Sequence, residues 1–301
     1  MSDNLLDHTA DNGKDTFLMC PPDHFEVSYV INPWMAGNIA QGNHSIAMRQ
    51  WLALVEAIAK VADVKLMPAM PGVPDLVFTA NAGVVLGNKV VLSRFRHVER
   101  QAEEVYFDAA FKEQGFEVLT VPPELPFEGA GDALMDRTEN LLWFGHGHRS
   151  DAACAAQLEE LLDIEVQPLK LVDERFYHLD TCFCPLAGGY LMYFPEAFDA
   201  ASQAKIAARV PADKRIVVGS EDALHFACNT VNSGRHIFLN QASDALVTEL
   251  QARGFVVHQT PLTEFLKAGG AAKCLTLKLN EPQQTVLSEP HEERVAAYAS
   301  H

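Results

Sequence analysis

Basic residues are scarce in this 301-residue chain: 23 Lys and Arg face 40 Asp and Glu, for a formal charge of -17. A surface of that sign repels a phosphate backbone and an anionic bilayer alike, which argues against nucleic acid and membrane as partners. Long apolar runs are also missing, since no stretch approaches the roughly 18 uninterrupted apolar residues of a membrane span. The opening MSDNLLDHTADNGKD holds several acids and no apolar leader core, so the protein is expected to be soluble and cytoplasmic. The six cysteines, at Cys20, Cys154, Cys182, Cys184, Cys228 and Cys274, include no C-x-x-C pair and form no disulfide framework. What is plentiful is apolar material: 48% hydrophobic residues against 21% charged, enough to build a large core.

Periodicity and turn signals give one succession several times: two short apolar runs joined by a Gly or Asn turn, an amphipathic helix, then a further strand. The first copy places strands at 76–86 and 90–95, a helix at 98–114 ended by Gly115, and a strand at 116–121. The second has strands at 132–135 and 141–145, a helix at 150–162 and a strand at 165–171. The third runs through 176–184, 190–194, a helix near 198–209 and 215–219. The fourth runs through 226–231, 237–240, a helix at 244–253 and 255–259. A fifth copy forms only if the strand 274–279 joins the strand 17–20, the helix 45–61 and the strand 64–67, so that the two ends complete one unit together. Copies starting at Leu76, Asp132, Phe176, His225 and Cys274 lie 44 to 56 residues apart, a period that suits a closed radial array. The expectation is one α/β domain over residues 15–281 with polar tails at 1–14 and 282–301. The alternative is a mixed α/β protein whose hairpins and helices merely occur at this density.

Four short strings could carry chemistry. Read as a strand, 176–184 puts His178, Asp180, Cys182 and Cys184 on one face. On its own, His-x-Asp is more often a core histidine satisfied by a neighbouring carboxylate. The small-residue loop Ala268-Gly269-Gly270-Ala271-Ala272-Lys273 delivers Cys274 to a strand opening, where the lysine can favour its thiolate. A lone cysteine is otherwise a small buried hydrophobe. Glu128 stands in the loop Phe127-Glu128-Gly129-Ala130-Gly131-Asp132, and Asn81 in Phe78-Thr79-Ala80-Asn81-Ala82-Gly83. Each is weak alone, but Asn81, Glu128, His178 and Cys274 open different repeats, and closure points those openings at one cavity. Thiolate, imidazole and carboxylate together suit attack on an electrophilic carbon, with Asp180 and Asn81 left to hold the substrate. Zinc fits poorly, because neither Cys182-x-Cys184 nor His146 with His148 has tetrahedral ligand spacing.

These strings resemble the guanidine-modifying amidinotransferase superfamily over nearly the whole chain. The resemblance implies a five-bladed α/β-propeller, the pentein fold, built of ββαβ units with pseudo-five-fold symmetry. Arginine deiminases carry a related F-T-R-D segment, a glutamate followed by glycine and aspartate, an H-L-D string and a cysteine after a Gly-rich loop. Two departures stand out here: Asn81 replaces the aspartate that deiminases use on the guanidinium, and Lys273 precedes the cysteine where many relatives have histidine. Longer strings, such as Met19-Cys20-Pro21-Pro22-Asp23-His24 and Val30-Ile31-Asn32-Pro33-Trp34-Met35, are similar to the catalytic domain of cyanobacterial arginine dihydrolases. Those enzymes often carry a second, ornithine-processing domain, for which this chain is expected to be too short.

The resemblance implies hydrolysis of L-arginine, or a related small guanidine, to ornithine, ammonia and carbon dioxide, with no metal and no cofactor. Cys274 would attack the guanidinium carbon, His178 would move protons, Glu128 would orient His178, and Asp180 would pair with the guanidinium. Asn32, Arg100 and Arg149 would receive the amino-acid end, although arginines beside a helix such as 98–114 are commonly solvated. Asn81 would permit the second hydrolysis, because an amide bonds cationic and neutral species alike whereas a carboxylate clamps a cation. The competing readings are a deiminase of arginine or methylarginine that stops at citrulline, an amidinotransferase, and a catalytically silent propeller that serves as a binding module. A small-molecule substrate and further copies of the chain, as a homo-oligomer, are the expected partners.

Overall fold

In the computed structural model, which describes residues 13–281, the strands fall into five separate three-stranded sheets. The chain begins with β1 (Thr16–Met19), α1 (His44–Ala59) and β2 (Asp63–Leu66), with β2 parallel to β1. Four units then follow one plan. The first is β3 (Gly83–Leu86), β4 (Lys89–Leu92), α2 (Val98–Gln101), α3 (Glu104–Glu113) and β5 (Glu117–Thr120). The second is β6 (Ala133–Met135), β7 (Leu141–His146), α4 (Cys154–Leu162) and β8 (Glu165–Lys170). The third is β9 (Phe183–Leu186), β10 (Tyr190–Tyr193), α5 (Ala200–Arg209) and β11 (Arg215–Val217). After the short α6 (Ser220–Leu224) come β12 (Val231–Ser233), β13 (His236–Leu239), α7 (Asp244–Ala252) and β14 (Val256–Gln259). In each unit the first two strands pair antiparallel and the third runs parallel to the second.

The last elements, α8 (Thr263–Leu266) and β15 (Leu277–Lys278), close the ring. β15 pairs antiparallel with β1, Phe17 opposite Lys278 and Leu18 opposite Leu277, and the sheet order β15-β1-β2 repeats that of the other four. The fifth unit is therefore assembled from both ends, as the sequence predicts, and the architecture is the five-bladed α/β-propeller. Helices seal the blades by amphipathic packing. In α1, Asn43 caps the first turn by accepting from the Ile46 N–H, and Ala47, Trp51, Leu54 and Ile58 recur at helical spacing on the buried side. Each large apolar side chain so buried is worth about 1.5–3 kcal/mol. Gly115, at φ 84°, follows the end of α3 as its sequence position requires. Among the described residues, no helix is long and apolar enough to cross a membrane. The tails read at 1–14 and 282–301 lie outside the described residues, apart from Gly13 and Lys14.

The inner strands are shorter than the sequence suggests. Residues 76–82 and 176–182, read as strand, form loops and tight 3-10 turns at Pro74–Val77, Thr79–Ala82 and Leu179–Thr181, and the loop read at 127–132 tightens into a further such turn at Gly129–Gly131. His178 and Asp180 consequently do not share a strand face; His178 precedes the turn and Asp180 lies inside it. Nor is 98–114 one helix. It breaks at Ala102-Glu103, and Arg100 and Glu103 both turn inward and pair, so Arg100 is buried rather than solvated.

Candidate active site

The turns that displaced the strand ends carry the polar residues. Asn81, Glu128, His178, Asn229 and Cys274 each precede the first strand of a different blade by two to five residues, and all five are buried. A 3-10 turn tightens the chain just before it enters the strand, which lets neighbouring blades bring side chains together at the axis. Packing there is close. A Cβ at Gly131 would overlap the Asn81 amide nitrogen and press on the His178 ring, so only glycine lets the three turns meet.

Glu128 is the hub. Its Oε2 accepts from Arg149 at 2.9 Å and lies 2.7 Å from His178 Nε2, while Oε1 accepts from the Arg96 N–H at 3.2 Å. Burial opposes its charge, but Arg149 and His178 outweigh that and hold the Glu128 carboxyl well below the usual carboxylate range. An ionised carboxylate can only accept, so Nε2 carries the imidazole proton and Nδ1 keeps the free lone pair. Burial pushes His178 down to about 4 despite Glu128, which leaves the ring neutral at pH 7. A second carboxylate ties these pieces together: Asp132 accepts from Ser150 Oγ at 2.6 Å and from the Leu179 N–H at 3.0 Å, and Ser150 Oγ accepts from the Glu128 N–H.

Cys274 lies across from Asp180, with Sγ 3.6 and 3.8 Å from the two carboxylate oxygens. Burial first, and Asp180 second, push the resting thiol far above its ordinary value. Burial likewise lifts Asp180 to about 7, opposed by Lys273 and by the bonds to Cys274 and Asn229. Asn229, which the sequence reading did not select, donates from Nδ2 to Cys274 Sγ at 3.1 Å and to the Asp180 carbonyl at 3.0 Å. Its Oδ1 accepts from the Cys274 and Ala271 N–H groups at 3.1 and 3.2 Å. The available signal was the repeat itself, since the fourth unit was the one with no polar residue assigned at its opening.

Cys274, Asn81, Asn32, Asp75, Arg100 and Arg149 line one cleft. His178, Glu128 and Asp180 stand directly behind it, Glu128 bonded to Arg149 and Asp180 to Cys274. The expected site residues are therefore brought together. Their contacts are more committed than the sequence implied. Asn81 accepts from Arg100 at 3.0 Å and donates to the Glu128 carbonyl at 3.3 Å. Asn32 accepts from the Trp34 and Met35 N–H groups and donates to the Ala268 carbonyl, so it ties two covering loops together. Arg100 is held by both Glu103 oxygens, and Arg149 stacks on Tyr177 at 4.5 Å. Asp75 was also missed. Its Oδ2 accepts from Tyr29 at 2.9 Å, whereas Oδ1 is buried in the cleft with no partner. Such an orphaned acceptor costs stability until a donor arrives, which marks it for a ligand's N–H. The cleft has a volume of about 10 Å³, near one water's worth. Among the described residues, no group of three or more His, Cys, Asp or Glu side chains could hold a metal ion.

The family model described as N,N dimethylarginine dimethylhydrolase, eukaryotic, matches residues 30–280. The bifunctional arginine dihydrolase/ornithine cyclodeaminase AgrE of a Nostoc species is 58% identical over 266 residues, which are 88% of this chain and 38% of AgrE. The chain thus spans well under half the length of that relative. The N(G),N(G)-dimethylarginine dimethylaminohydrolase of Mycobacterium tuberculosis is 36% identical over 88% of this chain and 85% of its own length. Among solved structures, the N-terminal domain of the cyanobacterial arginine dihydrolase ArgZ, as a Cys-to-Ser variant bound to substrate, is 56% identical. It superposes with a TM-score of 0.89, covering 90% of this chain and 100% of that domain.

Proposed function

The chain belongs to the N,N dimethylarginine dimethylhydrolase family, and from that premise we propose that it is an arginine dihydrolase, converting L-arginine and two waters to ornithine, two ammonia and carbon dioxide. The observation that carries this reading is the buried set of Cys274, Asp180, His178 and Glu128 around a cleft with two arginines at one side and an unpartnered carboxylate oxygen. Arg100 and Arg149 suit the substrate carboxylate, and Asp75 Oδ1 suits its α-ammonium. The guanidinium then reaches toward Asp180 and Cys274. A cation placed there offsets the Asp180 charge that opposes the thiolate, so substrate arrival itself favours the nucleophile.

In the first half, His178 Nδ1 takes the Cys274 thiol proton, Sγ bonds to the guanidinium carbon, His178 passes that proton to a departing nitrogen, and ammonia leaves. Water, deprotonated by His178, then displaces the thiolate. The neutral ureido product still has a C–NH2 bond that the same groups can break, releasing the second ammonia, and the second water frees the carbon from Cys274 as a carbamate on the ornithine nitrogen, which loses carbon dioxide. Asn81 is the proposed reason that it stays bound. Its amide faces the cleft without a net charge, so losing the substrate's positive charge strands no carboxylate at that position. Close relatives fit this assignment, ArgZ having been crystallised with substrate and AgrE with L-arginine and with ornithine.

A mass-spectrometric assay with L-arginine tests the proposal. Ornithine with two ammonia per arginine is expected from the wild type, and a shift toward citrulline from Asn81→Asp. Citrulline with one ammonia from the wild type would make the protein a deiminase. The similarity to a dimethylarginine hydrolase favours that second reading, so dimethylarginine belongs in the same assay.

A further inference from the structure

The first strands of all five blades also enclose a second space, on the other side of the wall that carries Cys274. Its lining takes consecutive residues from each: Val84-Val85, Leu134-Met135, Phe183-Cys184, Val231-Asn232 and Leu277-Lys278. It is therefore an axial chamber, with a volume of about 50 Å³, room for a few waters or one small ion. Most of its wall is apolar. Its charged groups are three cations, Arg137, Lys273 and Lys278, against the single carboxylate of Glu281.

Two of these cations are committed. Arg137 holds Glu281 through two bonds, at 2.6 and 3.1 Å, and Lys278 holds Asp15 at 2.8 Å. The half-buried Lys273 ammonium makes no hydrogen bond, ion pair or ring contact among the described residues, although its backbone N–H is fixed to the Asn229 carbonyl. An ammonium facing apolar walls gains more from an opposite charge than one in water does, because little solvent screens it. Cys274, one residue on, faces the cleft, so consecutive residues serve opposite sides of one wall.

We propose that the axial chamber binds a compact monovalent anion, of the size of formate or bicarbonate, held by the Lys273 ammonium behind the reacting thiol. With Arg137 and Lys278 already paired, the remaining Lys273 ammonium favours an anion over ammonium or another cation, and the small volume and close apolar walls favour a compact one. Lys273 is also a charge that favours ionised Cys274 and Asp180. An anion that neutralises it makes the thiolate harder to form, which couples chamber occupancy to the nucleophile. That coupling deepens the proposed activity, but the binding stands apart from it.

Bromide serves as the probe. Crystals soaked in sodium bromide are expected to show an anomalous peak beside Lys273 Nζ in the wild type, none in Lys273→Met, and a stronger one in Glu281→Gln, which removes the competing carboxylate. Bromide is also expected to slow iodoacetamide alkylation of Cys274 about threefold, the effect of half a pKa unit, in the wild type but not in Lys273→Met. No chamber peak in the wild type, a peak that survives Lys273→Met, or equal slowing in both proteins overturns the proposal. Peaks confined to Arg100 and Arg149 overturn it as well. Should Lys273→Met fail to fold, the place of the peak in Glu281→Gln decides: a peak no stronger than in the wild type, or one beside the freed Arg137 rather than Lys273 Nζ, counts against the site. None of these readouts needs turnover, so the proposal and the arginine dihydrolase reading can fail separately.

Discussion

The cleft and the axial chamber are built from the same five strand openings, yet they treat polar groups in opposite ways. On the cleft side, nearly every charge is spoken for: Glu128 by Arg149 and His178, Arg100 by Glu103, Asp180 by Cys274. On the chamber side the wall is apolar and one ammonium stands apart. The contrast shows where this fold keeps its precision. Strands supply a regular frame, whereas the turns ahead of them hold reacting groups in place by many short bonds.

The largest effect expected on the cleft side follows loss of the proposed nucleophile. Cys274→Ser is expected to lower arginine turnover by about four orders of magnitude or more, with a near-native melting temperature. Glu128→Gln comes next, because it leaves the buried Arg149 charge short of its partner. A stability loss of about 3–5 kcal/mol in urea denaturation is expected, together with a kcat loss of about 10²–10⁴-fold as His178 loses its anchor. Lys273→Met, on the chamber side, is expected to cost about 1 kcal/mol or less in the same measurement. Comparable losses would erase the distinction between the two sides.

Asn229→Ala is a smaller perturbation that sharpens it. Removing a donor to the thiolate is expected to raise the pH at which Cys274 alkylates and to lower kcat about 10–100-fold, the worth of one hydrogen bond to a charged group. A merely structural role would lower the melting temperature and leave the alkylation profile in place.

The smallest effect is a pair of opposed pH slopes. His178 titrates near 4 in the folded protein, below its ordinary value near 6.5, so its contribution is complete above about pH 6.5 and is lost as pH falls toward 4. Asp180 is raised to about 7, so its contribution is complete below about pH 3.9 and is lost as pH rises toward 7. The two oppose each other between pH 4 and 6.5. Relative to the wild type, urea midpoints of Asp180→Asn are expected to climb with pH over that range, and those of His178→Gln to fall. Parallel curves for all three proteins would show that neither group carries a shifted proton.

Ring closure was legible in the sequence because the pattern 274–279 with 17–20 and 64–67 reproduces the unit seen elsewhere, and hydrophobic alternation survives even in short strands. The proposed catalytic set was legible for a related reason, since polar residues at equivalent places in several repeats have few structural uses. What could not be read was the local backbone. Residues 176–184 alternate as a strand does, but period two cannot distinguish extended chain from a 3-10 turn that buries both faces against neighbouring blades. The helix break at Ala102-Glu103 was hidden likewise, because it answers to the Arg100–Glu103 pair rather than to glycine or proline. Asp75 escaped because its distinction, an acceptor with nothing to accept from, exists only once Tyr29 and Arg100 close around it.

The seam between β15 and β1 has a bearing on how the protein is made. The nucleophile rides on the blade that unites both ends, and it is among the last residues of the ring to leave the ribosome. A nascent chain can already hold Glu128 and His178, but it has neither the thiol nor the strand that seats it. Reactivity toward the substrate would thus switch on only when the circle shuts, which makes turnover a clock for the final step of folding. Because the seam sets Phe17 beside Lys278, the ring should also tolerate being opened elsewhere: a link across the seam and a cut in the β9–β10 turn would move the seam and leave the circle whole.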